Sequence, residues 1–595
     1  MKQLRDLLPY LRPYHAMIVW GLLLVVAGNG LTMLSVEAIK WGTDAMSRGG
    51  ATAGTVGRFA LISVGAALVA GAARFGMREI LNGVSRRVET DLRDALFAHL
   101  LRLDARFYGA HATGEIMSRA TNDISAVRMV AGPAYMYLVN TLVFSVLAVT
   151  RMTMVSVEMT LAALVPLLLL PPVTIYFGRL IHDRFESIQE QFGVISTMAQ
   201  ENMAGARIVK AYGQEAYQTG RFRALSEDYL HRNVALARVS GLFYPLLSLL
   251  AGLAGAVSLW WGVHAIVAGQ ISVGEFILFV LYLGMLTWPL IALWWVVNLF
   301  QRGAASMGRV SRILRVQPDV RDVATPRAPA EVRGEIEFRG VSFVYPGSDR
   351  AVLRDVSFHV PAGATVAVVG PTGSGKSTLI ALLSRLYDPG EGEVLLDGIP
   401  VREWPLEQLR AALAVVPQDT FLFSTSLAEN LALGLGEPGG AEAEGRVRAA
   451  ARVARLHETV ASFPLGYDTV LGERGINLSG GQKQRATLAR AVARDAPVLV
   501  LDDALSAVDP HPEHEILEGL RGVMAGRTSL IVSHRVTATM HADHVLVLED
   551  GRVAERGTHE ELLRAGGVYA ALQRRQMLAE EVAGDDLLAA GGNTV

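Results

Sequence analysis

The chain has 595 residues, too many for one domain and enough for about three or four structural units. Hydrophobic residues make up 51% and charged ones only 19%; with a mean hydropathy of +0.32 the composition calls for membrane spans. A formal charge of -2 gives no footing for nucleic acid, and the lack of cysteine excludes disulfides and thiolate metal sites.

Met1 to Arg12 mixes apolar and basic residues and has no small-residue cleavage site, so it reads as an interfacial elbow helix rather than a removed leader. Met17 to Val36 is long enough to cross a bilayer about 30 Å thick. Further spans are predicted near 57–80, 133–155, 158–178, 242–267 and 272–299, six in all. Spans two and three are separated by a long stretch with Arg86, Arg87, Arg93, Arg102, Arg106 and Arg119. Spans four and five are separated by another with Arg179, Arg184, Arg207, Lys210, Arg221 and Arg223. The opposite loops are short, and only Arg48 and Arg151 stand out there. The positive-inside rule places both long stretches and both termini in the cytoplasm. Val84 to Leu103 keeps apolar residues at helical spacing, so the membrane helices are expected to continue well past the bilayer. Glu37, Lys40 and Asp44 read as an exposed outer helix end. Trp260, Trp261, Trp288, Trp294 and Trp295 fit interface markers or packing better than a pocket for flat or cationic molecules.

Residues 1–316 are therefore expected to form the membrane domain. A proline-marked linker follows at 317–333, with Pro318, Pro326 and Pro329. From Gly334 to about 580 short β-rich runs alternate with helical segments, as in an α/β domain. Residues 581–595 read as a flexible tail. His511/His514 and His541/His544 have i,i+3 spacing but no further ligands for a metal.

Three motifs carry the chemistry. Gly370-Pro371-Thr372-Gly373-Ser374-Gly375-Lys376-Ser377 follows the apolar run Thr365 to Val369 and opens a helix from Lys376 that continues with Thr378. This is a P-loop. Its glycines let N–H groups curl round phosphate, Lys376 meets the β/γ-phosphates, and the Ser377 hydroxyl can ligate Mg²⁺. Val498-Leu499-Val500-Leu501-Asp502 reads as a buried parallel strand that ends in a carboxylate facing the nucleotide, able to hold Mg²⁺ through water. Leu478-Ser479-Gly480-Gly481-Gln482 opens a predicted helix from Lys483 to Ala493 as a second phosphate cradle. Two cradles on separate lobes of one chain cannot share one γ-phosphate. A head-to-tail dimer can place the nucleotide between the P-loop of one subunit and Ser479–Gln482 of the other.

With these motifs the chain resembles an ABC transporter of the exporter type (type IV fold), and the likeness covers nearly all of it. The resemblance implies an α-helical six-span transmembrane domain fused to an α/β P-loop nucleotide-binding domain, RecA-like with a helical subdomain. It implies ATP and Mg²⁺ as ligands, with metal contacts from Ser377, Gln418 and Asp502. Tyr345 resembles the aromatic that stacks on adenine, and Gln418 the glutamine that touches Mg²⁺ and senses the γ-phosphate. His534 resembles the switch histidine, Ser506-Ala507-Val508-Asp509 the D-loop, and Glu473 the exporter motif that meets the transmembrane domain. Phe107-Tyr108 with Thr113 to Ile116 and Asn122-Asp123, and Ala204 to Tyr212 with Glu215, resemble the two coupling-helix segments, the second docking on the partner.

One departure stands out. Where the family usually has Glu, the base that orients water, this chain has Asp503. Its carboxylate is one methylene shorter, about a bond length farther from that water. The pattern resembles the weak-site subunit of heterodimeric multidrug exporters. The implied function is ATP-driven export of hydrophobic drugs, lipids or peptides by alternating access, with a second half-transporter that carries the Glu. A multi-pass protein of the bacterial inner membrane is implied. A homodimeric exporter or lipid flippase using Asp503 as base, or an ATP-gated channel or regulatory subunit, are the alternatives; six apolar runs argue against a soluble ABC ATPase.

Overall fold

About 20 apolar residues cross a bilayer, yet the helices of this chain are far longer. The computed structural model describes residues 2–49, 51–435, 440–472, 475–505, 510–534 and 539–578. Glu473, the segment Ser506 to Asp509, Arg535 and the tail lie outside the described residues. The chain divides into two units: Met1–Arg102 with His111–Val316, and Leu103–Ala110 with Gln317–Val595.

The first unit begins with short helical turns over Lys2–Leu7, Leu8–Leu11 and Arg12–Tyr14. Six long helices follow: α1 (His15–Ser47), α2 (Ala53–Leu100), α4 (Thr113–Val155), α5 (Val157–Ala204), α7 (Glu215–Val267) and α8 (Val273–Leu314); the short α6 (Ala206–Ala211) lies between α5 and α7, and the short α3 (Ala105–Ala110), between α2 and α4 in the chain, belongs to the second unit. Each of the six expected spans falls within one long helix. A helix of 48 residues such as α2 is about 72 Å long at 1.5 Å per residue, more than twice the hydrocarbon thickness. Its inward stripe runs on past the span through Met77, Leu81, Val84, Val88, Leu92, Leu96 and Leu100, so packing sustains the helix where lipid does not.

Several charges in this unit are paired between helices. Glu37, Lys40 and Asp44 correct the expectation of an open helix end. Arg151 on α4 donates to Glu37, Lys40 donates to Glu275 on α8 at 3.0 Å, and Asp44 accepts from the Gly274 N–H at 2.9 Å. An apolar surround raises the cost of a lone charge, so pairing selects this register among three helices. Farther along, Asp123 is buried on α4. It accepts from Ser306 and the Arg309 Nε, both at 2.9 Å, from a second Arg309 nitrogen, and from Arg119 at 3.1 Å. A π-helical turn at Arg119–Asp123 and another at Val130–Ala134, which holds Pro133, set the phase of α4 around these partners.

In the second unit, α3 buries Phe107, and the carboxylate of Asp104 accepts the N–H groups of Asp319 at 2.6 Å and Val320 at 3.3 Å. A four-stranded antiparallel sheet is made of β1 (Ile336–Val344), β2 (Ala351–Val360), β4 (Glu391–Leu396) and β5 (Ile399–Pro400), in the order β2-β1-β4-β5. A six-stranded sheet contains β3 (Thr365–Val369), β6 (Leu413–Val416), β7 (Val498–Asp502), β8 (Thr528–Val532), β9 (His544–Glu549) and β10 (Arg552–Gly557), in the order β10-β9-β3-β8-β7-β6. All its pairs are parallel except β9 with β10. Val498 and Val500 face a core shared with the antiparallel sheet; Leu499 and Leu501 face a core shared with helices. Both faces are covered, which is why β7 is apolar throughout.

Asp123→Ala should lower the apparent Tm of the purified protein by several degrees, because it strands Arg309 and Ser306; truncating one partner of a buried pair costs about 3–5 kcal/mol. Asp123→Ala combined with Arg309→Met should cost less than the two single changes summed, as a double-mutant cycle read by thermal unfolding would show.

Candidate nucleotide site

Four of the parallel strands end at one level. Val368 lies opposite Val532, Val532 opposite Asp502, and Leu501 opposite Val416. The segments that leave those ends are the P-loop after β3, Ser533-His534 after β8, Asp503 after β7 and Gln418 after β6. Carboxyl ends of parallel strands are where ligands bind in open α/β sheets.

The loop is shaped by Gly375, whose φ is +102°. A Cβ there would stand 2.7 Å from Leu353 Cδ2 and 3.0 Å from the Val352 carbonyl oxygen, so both conformation and space demand glycine. Gly375 precedes α9 (Lys376–Leu383); Thr378 N–H bonds the Gly375 carbonyl at 3.1 Å, and the Lys376 and Ser377 N–H groups of the first turn are left for an anion. Lys376 is 6% exposed. Its ammonium donates back across the loop to the carbonyls of Gly370 at 2.9 Å and Pro371 at 2.8 Å, and reaches Ser374 Oγ at 3.5 Å. Burial pulls its pKa below the ordinary lysine value, against the pull of Asp502 and Asp503. A buried cation held among the described residues by neutral oxygens, at the start of a helix, fits a polyphosphate. Thr372 and Gly373 are exposed on the rim of the loop.

Asp502 is buried at the end of β7. Burial pushes its carboxyl above the ordinary range; the hydrogen bond from Ser377 opposes this, the Asp503 carboxylate adds to it, and Lys376 and His534 oppose it again. Ser377 and Asp502 thus form a pair of oxygen donors, the donor set that a hard divalent cation takes. Gln418 is exposed two residues beyond β6. His534 is exposed two residues beyond β8, where Ser533 is anchored by its N–H to the Val368 carbonyl at 3.2 Å. Tyr345 packs edge-on against Phe343 and Tyr387, and its hydroxyl shares a hydrogen bond with Thr378 on α9 at 3.1 Å. That places an aromatic ring beside the phosphate loop.

Asp503 takes a left-handed turn with φ +48°. Its N–H donates to the Val532 carbonyl at 2.8 Å, and its own carbonyl accepts from Gln484 Nε2 at 3.3 Å. The turn is thus tied on both sides, as a conformation unusual for a side-chain-bearing residue requires. Gln484 is the residue that sequence reading missed. It sits buried on α14 (Gly480–Arg494), the helix opened by Ser479, after α10 (Leu406–Ala411), α11 (Leu427–Ala432), α12 (Ala441–Val453) and α13 (His457–Ala461). A polar side chain among the alanines of that helix was the available signal.

The α14 helix starts at Gly480, three residues before the expected Lys483. Ser479 and Gln482 cap each other reciprocally, Ser479 N–H to Gln482 Oε1 at 2.9 Å and Gln482 N–H to Ser479 Oγ at 3.3 Å. That box draws both glycines into the first turn. Ser479 and Gly480 are exposed. Among the described residues no hydrogen bond joins Ser479–Gln482 to residues 370–378.

Two outcomes are expected. Lys376→Ala should weaken nucleotide binding at least a hundredfold in equilibrium dialysis while the fold melts normally. Binding of Mn²⁺ with nucleotide, read by electron paramagnetic resonance, should weaken as pH falls: the raised Asp502 carboxyl takes up a proton earlier than a free one, and only its ionised form attracts the cation. Asp502→Asn should flatten that dependence.

The family description "ABC transporter transmembrane region" matches residues 17–290, and "ABC transporter" matches 353–506. The multidrug resistance-like ATP-binding protein MdlA of Escherichia coli (strain K12) is 38% identical over 514 residues, 86% of each chain. An ATP-dependent lipid A-core flippase of Chromohalobacter salexigens is 33% identical over 583 residues, 97% of this chain and 98% of that one. A solved bacterial Atm1-family ABC exporter with ATP bound superposes with a TM-score of 0.77 at 30% identity, covering 94% of this chain and 99% of that one. Six long apolar helices followed by a P-loop domain with these relatives identify a multi-pass membrane protein of the ABC exporter family, an ATPase coupled to transport whose transmembrane and nucleotide-binding domains share one chain.

Proposed function

We propose that this chain is the weak-site half of a heterodimeric exporter. Residues 1–316 would form its transmembrane domain, 317–333 the linker and 334–580 its nucleotide-binding domain. The observation that carries the reading is Asp503, a short carboxylate in a turn tied by the Val532 carbonyl and Gln484, where the family expects Glu. The exposed Ser479 cradle supports the rest, since it has work to do only on another chain's nucleotide.

In this reading Tyr345 stacks the adenine. The loop N–H groups from Gly370 to Ser377 and the Lys376 ammonium bind the β- and γ-phosphates. Ser377, Asp502 and Gln418 would hold Mg²⁺, which supplies charge neutralisation between the phosphates. His534 reads the γ-phosphate. Ser479, Gly480, Gly481 and Gln482 complete the strong site on the partner. The exposed α6, with Ile208 and Tyr212 open to solvent, would dock on that partner. Closure around two nucleotides favours the outward-facing state, and hydrolysis at the partner's site resets it. The cargo would be hydrophobic: drugs, lipids or peptides, in keeping with the names of the relatives. Arginine in the long stretches supports cytoplasmic termini, and the bacterial relatives support a bacterial inner membrane. Asp503 as a working base in a homodimeric flippase is the second reading, favoured by the full-length likeness to a lipid A-core flippase.

The chain purified alone in a lipid bilayer should bind ATP yet hydrolyse it negligibly, and Asp503→Glu should raise that rate about tenfold or more. A robust rate without the substitution would establish the homodimer instead.

A further inference from the structure

A six-residue helix is too short to be stable by itself, so α3 depends on ties to the rest of the second unit. Asp104, the residue before it, supplies two. Its Oδ1 accepts the Phe107 N–H at 3.2 Å, in the manner of an N-cap. Its Oδ2 accepts the N–H groups of Asp319 and Val320 at 2.6 and 3.3 Å. Arg106 also pairs with the Asp319 carboxylate, but both side chains are exposed and such a pair adds little. Phe107 is buried. Even so, Asp104, Arg106, Asp319 and Val320 line a cavity of about 730 Å³ together with Phe343 of β1 and Tyr387. Part of what separates these segments from the sheet is therefore space rather than packing, and the polar ties matter more.

The next two residues of the linker are tied elsewhere. The Arg321 carbonyl accepts from Arg385 Nη2 at 2.9 Å, and the Asp322 carboxylate accepts the N–H of Leu406, the first residue of α10, at 2.7 Å. Arg385 lies two residues past the end of α9, is 3% exposed, and has φ +51°. Its N–H bonds the Leu382 carbonyl, its Nε donates to Asp388, and its carbonyl accepts from Arg410, each at 3.1 Å. A left-handed backbone at a buried arginine persists because its surroundings fix it from several sides. The α9 helix has eight residues, a rod about 12 Å long, and it begins at Lys376. Residues 319–322 thus run from the cap of α3 to the far end of the helix that the P-loop opens.

We propose that Asp319 to Asp322 form a strap that ties α3 to the phosphate-binding helix, with Asp104 and Arg385 as its two positioning residues. A nucleotide that orders the start of α9 thereby orders α3, which is joined in the chain to α2 and α4 of the first unit. The resemblance carried by Phe107-Tyr108 implies that this segment docks; a tie made through the main chain of the linker goes beyond it. The strap rests on nucleotide binding at this chain's own P-loop. It does not rest on the weak-site reading, because none of its steps requires hydrolysis.

Hydrogen exchange of the full chain in phosphatidylcholine nanodiscs, read by mass spectrometry, tests the strap. Saturating ATP with Mg²⁺ should slow exchange in residues 104–110 and 319–322 about tenfold, and in the P-loop as well. Asparagine has one acceptor oxygen, which can serve the α3 cap or the linker amides but not both. Asp104→Asn should therefore abolish the ATP effect on residues 104–110 and keep it on the P-loop, whose response shows that the variant is folded and loaded. If Asp104 were a helix cap and nothing more, Asp104→Asn would match the unsubstituted chain and Asp104→Ala alone would differ. Arg385→Lys should give the same loss from the other end, because an ammonium lacks the planar fork that reaches Asp388 and the Arg321 carbonyl together. Should Arg385→Lys lose ATP binding itself, Asp104→Asn decides. An ATP effect on residues 104–110 that survives in an ATP-loaded variant, or its absence from the unsubstituted chain, overturns the proposal. No ATP effect on the P-loop of the unsubstituted chain overturns the nucleotide site as well.

Discussion

One buried cation organises the second unit. The Lys376 ammonium is folded back on the carbonyls of Gly370 and Pro371, with no hydrogen bond to a carboxylate among the described residues. Desolvation makes such a charge expensive, and neutral oxygens compensate only part of that cost. The loop must therefore curl tightly, which requires Gly375 at φ +102°. It must also sit where strands end in register, which brings Asp502 and Asp503 close enough to act on the ammonium. Polyphosphate binding is the answer to an electrostatic problem that the fold creates.

The membrane unit solves the same problem differently. Lys40, Arg151 and Arg309 find carboxylate partners on other helices, so pairing fixes register among α1, α4 and α8.

The chain also presents unfinished chemistry. Ser479 caps its helix and leaves the glycine N–H groups at an exposed end. The same helix carries Gln484, which bonds to the backbone of Asp503. One rigid element thus joins the cradle offered outward to the turn that carries the chain's own carboxylate.

By itself the sequence determined what local chemistry and periodicity determine. Six apolar runs of bilayer length, the P-loop spacing, the apolar strand ending in Asp502 and the family of the chain were legible, because each is written in contiguous residues. The tertiary structure alone decided the rest. It showed that Glu37, Lys40 and Asp44 are paired, because their partners Arg151 and Glu275 and the Gly274 N–H lie more than a hundred residues away. It drew Gly480 and Gly481 into α14, because the reciprocal Ser479–Gln482 cap is worth more than the helix-breaking tendency of glycine. It placed Gln484 against Asp503. Sequence shows what a residue can offer; which group meets it depends on contacts between segments far apart in the chain, and these exist only after packing.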